Sequence, residues 1–183
     1  MSDAVSPSDS PPAGGSSSPP LGETSTPRRK VGLSDAAVAT DGAVLVTSGL
    51  GSCLGVAIFH PATGVGGLLH AMLPTAGDRP GADEKFVVEG IDALVEALTA
   101  AGADPDALRA KIAGAAKMIE FDVGEDGGSV GDRNVAAAEA ALAERGIPLV
   151  AADTGGDRGR SLRFETGDGA LLVSYAGGET VAL

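Results

Sequence analysis

The chain has no tryptophan, a single tyrosine, four phenylalanines, two histidines and one cysteine among its 183 residues. Each scarcity removes a class of function. One cysteine, Cys53, rules out an internal disulfide framework and leaves no CxxC pair for zinc or redox work. With only His60 and His70 beside it, no dedicated metal cage is expected and no cofactor is called for. No stretch of eighteen residues is free of charge and turn-formers, and the start of the chain lacks a charged segment followed by an apolar run. Neither a membrane-spanning helix nor a secretory signal is therefore expected, and the expected location is cytoplasmic. Basic residues are also few. The net charge is −12, and because Asp3, Asp9 and Glu23 offset Arg28, Arg29 and Lys30, the rest of the chain carries that deficit. Such a surface repels phosphate backbones, and no basic stripe with interleaved aromatics offsets it, so nucleic acid is not an expected partner.

What is present divides the chain in two. Residues 1–30 hold six of the eleven prolines and are rich in serine and glycine, with no apolar run able to offset the entropy of ordering. They are expected to form a disordered tail, followed by one domain over 31–183. Ala43 to Thr47, Cys53 to Phe59 and Val65 to Leu73 read as strands, the last two forming a hairpin around Pro61-Ala62-Thr63-Gly64. Asp83 to Ala101 places Val87, Ile91, Leu94, Val95 and Leu98 on one helical face, with Gly102 suited to the C-terminal cap. Asp104-Pro105 opens a short helix leading to an extended stretch from Lys111 to Phe121. Arg133 to Arg145 is a second helix ended by Gly146, and Ile147 to Ala152 a strand. Ser161 to Glu165 and Ala170 to Tyr175 form a final hairpin around Thr166-Gly167-Asp168-Gly169. Strands and helices mix without strict alternation, which points to an α+β domain of largely antiparallel sheet.

The hairpin register brings chemistry together. With the four-residue loop Pro61 to Gly64, His60 faces Val65, Cys53 faces Met72, and His70 is the diagonal neighbour of Cys53 on the same face. Diagonal Cβ atoms lie about 7–8 Å apart, and a bulge at Gly66-Gly67 would shorten that distance. An imidazole beside the thiol would draw off its proton, lower its pKa and supply a nucleophile for carbonyl carbon. The same two residues also fit an inert buried pair, since free cysteine is among the most buried residue types. Gly49, Gly51 and Gly55 precede a strand rather than a helix, so they do not form a dinucleotide loop. His60 before Pro61 reads as a turn residue. The arginines of Gly155-Gly156-Asp157-Arg158-Gly159-Arg160 fit either an anion cradle or pairing with acidic strands.

The runs Thr47-Ser48-Gly49-Leu50-Gly51-Ser52-Cys53 and Gly66-Gly67-Leu68-Leu69-His70-Ala71-Met72-Leu73-Pro74 together resemble the signature of the CheD family of chemoreceptor glutamine deamidases. The resemblance continues through Glu84-Lys85-Phe86, Gly131-Asp132-Arg133-Asn134-Val135 and Asp153 to Arg160, spanning about Val31 to Ala176. Ala113-Gly114-Ala115 departs from the paired glycines usual in relatives. The resemblance implies Cys53 as nucleophile, His70 as general base and then acid, and Thr47 as the third member orienting the imidazole. Backbone amides around Gly51 and Ser52 are candidate oxyanion donors or loop supports. It further implies a mixed α+β sandwich like the catalytic domain of cytotoxic necrotizing factor toxins, and chemotaxis receptors as protein substrate. Side activity on glutamate methyl esters and a CheC-type phosphatase of CheY as binding partner are implied as well. A non-catalytic adaptor regulating such a phosphatase is the alternative from another functional class.

Only Lys30, Lys85, Lys111 and Lys117 are lysines, and an acidic, alanine-rich chain of this kind is expected of a salt-adapted cytosol. Its melting temperature should then rise with molar salt as screening relieves self-repulsion; thermal unfolding that ignores salt would remove that reading.

Overall fold

The computed structural model describes residues 26–117 and 128–183. Ten strands are present there: β1 (Arg28–Lys30), β2 (Asp35–Ala39), β3 (Val44–Leu50), β4 (Leu54–Phe59), β5 (Gly66–Ala71), β6 (Arg109–Gly114), β7 (Leu149–Thr154), β8 (Arg160–Glu165), β9 (Ala170–Tyr175) and β10 (Thr180–Ala182). Two α-helices join them, α1 (Val87–Ala100) and α2 (Val130–Glu144). The strands form two five-stranded sheets, ordered β1-β3-β8-β9-β10 and β2-β5-β4-β6-β7. Pairing is antiparallel except for β1 with β3 and β6 with β7. This is the expected α+β class.

The hydrophobic pattern explains the layering. All six residues of β4 are buried, as a central strand covered on both faces requires. Leu54, Val56 and Ile58 pack with Ile91, Leu94 and Leu98 of α1 and with Ala138 and Leu142 of α2. Ala57 and Phe59 face the other way, into a second cluster with Leu45, Leu162, Phe164 and Val173 of the first sheet. The second sheet is thus the middle layer, between the helices and the first sheet. Asp92 and Arg145 form an ion pair between α1 and α2. Among the described residues no helix is long and apolar enough to cross a membrane.

The β4–β5 hairpin has the expected register. His60 donates its N–H to Val65 O at 2.9 Å, and the ladder runs from Phe59 opposite Gly66 to Leu54 opposite Ala71. The bulge at Gly66-Gly67 is absent, because both glycines pair regularly with Phe59 and Ile58. Their missing side chains serve packing: a Cβ at Gly66 would lie 3.0 Å from Phe164, and one at Gly67 would lie 2.6 Å from Leu94.

Other boundaries differ at the ends. The helix expected from Asp83 begins as a 3-10 turn, Asp83–Lys85, and becomes α-helical at Val87. The helix expected from Arg133 begins at Val130, under a capping box in which Ser129 accepts from Asp132 N–H and Asp132 accepts from Ser129 N–H. The extended stretch expected from Lys111 runs from Arg109 to Gly114, and its expected end at Phe121 lies outside the described residues. The segment expected to be a disordered tail through Lys30 lies outside the described residues over 1–25, while Arg28–Lys30 forms β1. All three β1 residues are exposed, so they join a sheet edge through the backbone without entering the core.

Candidate active site

Side-chain alternation brings β3 and β5 together between the sheets. On β5, Leu69 and Ala71 point to the helices and Leu68 points to the first sheet, which gives His70 the same inward direction as Leu68. On β3, Leu45 belongs to the intersheet cluster, and Thr47, two residues on, shares its face. The two polar side chains meet there: Thr47 Oγ1 lies 2.8 Å from His70 Nδ1. Thr47 is 3% exposed and His70 is 1% exposed. His70 Nε2 is buried and has no hydrogen-bond partner among the described residues. Nothing in the chain's local pattern announces the Thr47 contact, because it crosses from one sheet to the other.

Cys53 lies one residue before β4, at the end of the ladder where its register places it opposite Met72. It is partly exposed. Burial raises the thiol above its ordinary value, opposed by the residue's own backbone N–H. Burial also lowers the His70 imidazole. The resting pair therefore favours neutral thiol and neutral imidazole, the opposite of the lowered thiol pKa expected from the sequence. That expectation weighed the neighbouring imidazole and not the depth at which both groups sit.

The turn before Cys53 is held by its carbonyls. Ala115 N–H donates to Cys53 O and Ala116 N–H to Gly51 O, each at 2.7 Å. Gly114 adopts φ of 123°, and a Cβ there would meet Cys53 O at 2.5 Å, so the close approach excludes any side chain. Gly51 N–H is bonded to Gly49 O at 3.1 Å, which leaves Gly51 as loop support rather than an oxyanion donor. The N–H of Ser52 has no backbone partner among the described residues, and that of Cys53 faces its own thiol.

Two groups behind the turn stand in motifs quoted from the sequence, but their contacts to the turn were not expected there. Asn134, fully buried on α2, donates from Nδ2 to Ser52 O and to Met72 O, both at 3.0 Å. Arg160 donates to Gly114 O at 3.2 Å and pairs with Asp153 at 3.0 Å, and Tyr175 OH donates to the other oxygen of Asp153. Arg158 pairs with Glu179 at 2.9 Å. Both arginines of the glycine-rich loop thus have protein partners, as its structural reading requires. His60 accepts from Ala62 N–H at 3.2 Å, a turn contact. An open cleft of about 610 Å³ between α2 and the end of β7 is lined by Ala115, Lys117, Val135, Thr154 and Gly156 but by none of Cys53, His70 and Thr47. Ala115 links it to the Cys53 turn.

Comparison with known proteins agrees with the sequence resemblance. The CheD family model, described as chemotactic sensory transduction, matches residues 72–175. A probable chemoreceptor glutamine deamidase CheD of Haloarcula marismortui is 45% identical over 163 residues, covering 88% of this chain and 93% of that one. One from Geobacter metallireducens is 49% identical, covering 78% and 90%. One from Natronomonas pharaonis is 47% identical, covering 85% and 93%. Two solved structures, the Bacillus licheniformis hypothetical protein YfiH and Neisseria meningitidis NMB0706, share 14% and 15% identity with TM-scores of 0.44 and 0.45. They cover 67% and 72% of this chain and 51% and 64% of their own. The family match and the identities over most of its length show that the chain belongs to the CheD family.

Proposed function

We propose that this chain is a cytoplasmic deamidase of chemotaxis receptors, converting glutamine side chains to glutamate with Cys53 as nucleophile and His70 as base. The observation that carries the reading is the hydrogen bond of Thr47 to His70 Nδ1, with Nε2 unpartnered, beside a turn that presents the single cysteine. The names of the relatives, probable chemoreceptor glutamine deamidases, support the substrate class.

The chemistry follows from the neutral pair. With Nδ1–H donated to Thr47 Oγ1, Nε2 holds a lone pair and takes the thiol proton as Sγ attacks the carboxamide carbon. The C–S bond forms and negative charge moves to the oxygen, for which the N–H groups of Ser52 and Cys53 are the proposed donors. Nε2 returns the proton to nitrogen, the C–N bond breaks, and ammonia leaves a thioester. Water then attacks that carbon, giving a proton to Nε2, and the C–S bond breaks to release glutamate and restore the thiol. A glutamate methyl ester would follow the same path with methanol as leaving group.

A CheC-type phosphatase of CheY remains a proposed binding partner. The adaptor reading, in which Cys53 and His70 are core residues, draws on the burial that raises the thiol and lowers the imidazole. Intact-mass spectrometry of a receptor signalling fragment separates the two. Wild-type protein should add about one dalton per site and Cys53→Ala none; no gain with either protein would favour the adaptor. Thr47→Val keeps the shape and removes the contact to Nδ1, so kcat should fall about 10- to 100-fold with KM nearly unchanged. A Thr47→Val enzyme with wild-type kcat would remove the orienting role.

A further inference from the structure

We propose that Asn134 is a positioning residue for this reaction, its carboxamide fixing the spacing between the nucleophile turn and the end of the histidine strand. The inference rests on the catalytic reading of Cys53 and His70. The β4–β5 ladder pairs every residue from Phe59 with Gly66 to Leu54 with Ala71, and the next pair in register would be Cys53 with Met72. In this register that is a non-hydrogen-bonded pair, with Cys53 O bonded to Ala115 N–H on the β6 side. The next bonded pair, Ser52 with Leu73, does not close, because Leu73 N–H goes to Lys85 O at 3.2 Å.

Two carbonyls, Ser52 O and Met72 O, are left beside each other at the open end. Neither can donate to the other, and burying them unpaired would be costly. A carboxamide nitrogen supplies two N–H donors from one atom in a fixed plane, and Asn134 Nδ2 gives one to each carbonyl. Since both partners are acceptors, these contacts also assign the nitrogen to that position. The side chain therefore takes the place of the next ladder bond, and the separation of the two strand ends is set by helix α2 instead of by the backbone. A single residue thereby spans the turn bearing Cys53 and the residue two past His70.

The remainder of the residue supports a role beyond packing. Asn134 is fully buried, and its Oδ1 has no hydrogen-bond partner among the described residues. An unsatisfied buried carbonyl destabilises a fold, so its retention calls for a reason that the donors supply. The helix that carries it is fixed close by, through the Ser129–Asp132 capping box and through Gly131, whose Cα side packs against Ala115 O. Side chains on rigid elements hold a reacting geometry better than loops do.

The test measures kcat and KM for receptor-fragment deamidation by Asn134→Ala, Asn134→Ser and Leu142→Ala, with the melting temperature of each. Leu142 is buried on the same helix in the helix-facing core, so its truncation loses stability without touching the turn. Both Asn134 variants should lose about 100-fold in kcat, the effect of misplacing a reacting group by about 1 Å, with KM within about twofold. Leu142→Ala should keep wild-type kcat wherever it is folded. The serine variant, with one donor left, carries the test if the alanine variant does not fold. Wild-type kcat in a folded Asn134 variant would overturn the proposal, as would a loss that merely follows melting temperature in all three. If Cys53→Ala retained full activity, the catalytic reading itself would fail; a Cys53-dependent activity indifferent to Asn134 would sink this inference alone.

Discussion

The hydrogen bond between Thr47 and His70 crosses the layer between two sheets, and the site is arranged around it. A polar pair in that layer is tolerated because each group satisfies the other on one side. The cost falls on Nε2, which is buried without a partner among the described residues. An imidazole held at Nδ1 has a fixed direction, and in the tautomer with its proton on Nδ1 the lone pair of Nε2 is available, as the proposed general base requires. The surrounding leucines and valines of the sandwich also withhold water, which is why the imidazole titrates below its ordinary range.

The proposed nucleophile is positioned by a different set of contacts. Cys53 is outside the ladder, so its turn depends on neighbours that grip carbonyl oxygens: Ala115, Ala116 and Asn134. Arg160 extends the grip by bonding Gly114 O, and Asp153 with Tyr175 holds the guanidinium. The proposed base is thus fixed between the sheets, and the proposed nucleophile is braced from the sheet end and from α2. The raised thiol and lowered imidazole make proton transfer during attack, rather than a standing ion pair, the consistent mechanism.

Much of this is legible in the sequence. The short loop after His60 fixed the hairpin pairing, because strands buried on both faces tolerate no slip of register. The apolar faces of both helices could be read from their spacing, with boundaries shifted by a 3-10 turn and a capping box. Strands β1, β2 and β10 escaped notice because they are short edge segments, and two of them bury nothing. The bulge proposed at Gly66-Gly67 answered a need that packing against Phe164 and Leu94 supersedes. Asn134 stands in a quoted motif, but its role is not legible there: its partners are 82 and 62 residues away, and a lone amide in an alanine-rich helix has no periodic signature. The direction of the thiol shift likewise depends on tertiary burial, which no local pattern encodes.

The claim that His70 activates Cys53 is tested most directly by the rate at which iodoacetamide alkylates Cys53, followed against pH in wild-type protein and in His70→Ala. With the imidazole neutral below its ordinary value of 6.5, the wild-type thiol should react across neutral pH, and its rate should fall only on the acid side of that value. Without the base, burial should confine reaction to pH above the ordinary cysteine value of 9.0. Superimposable profiles for the two proteins would contradict the account.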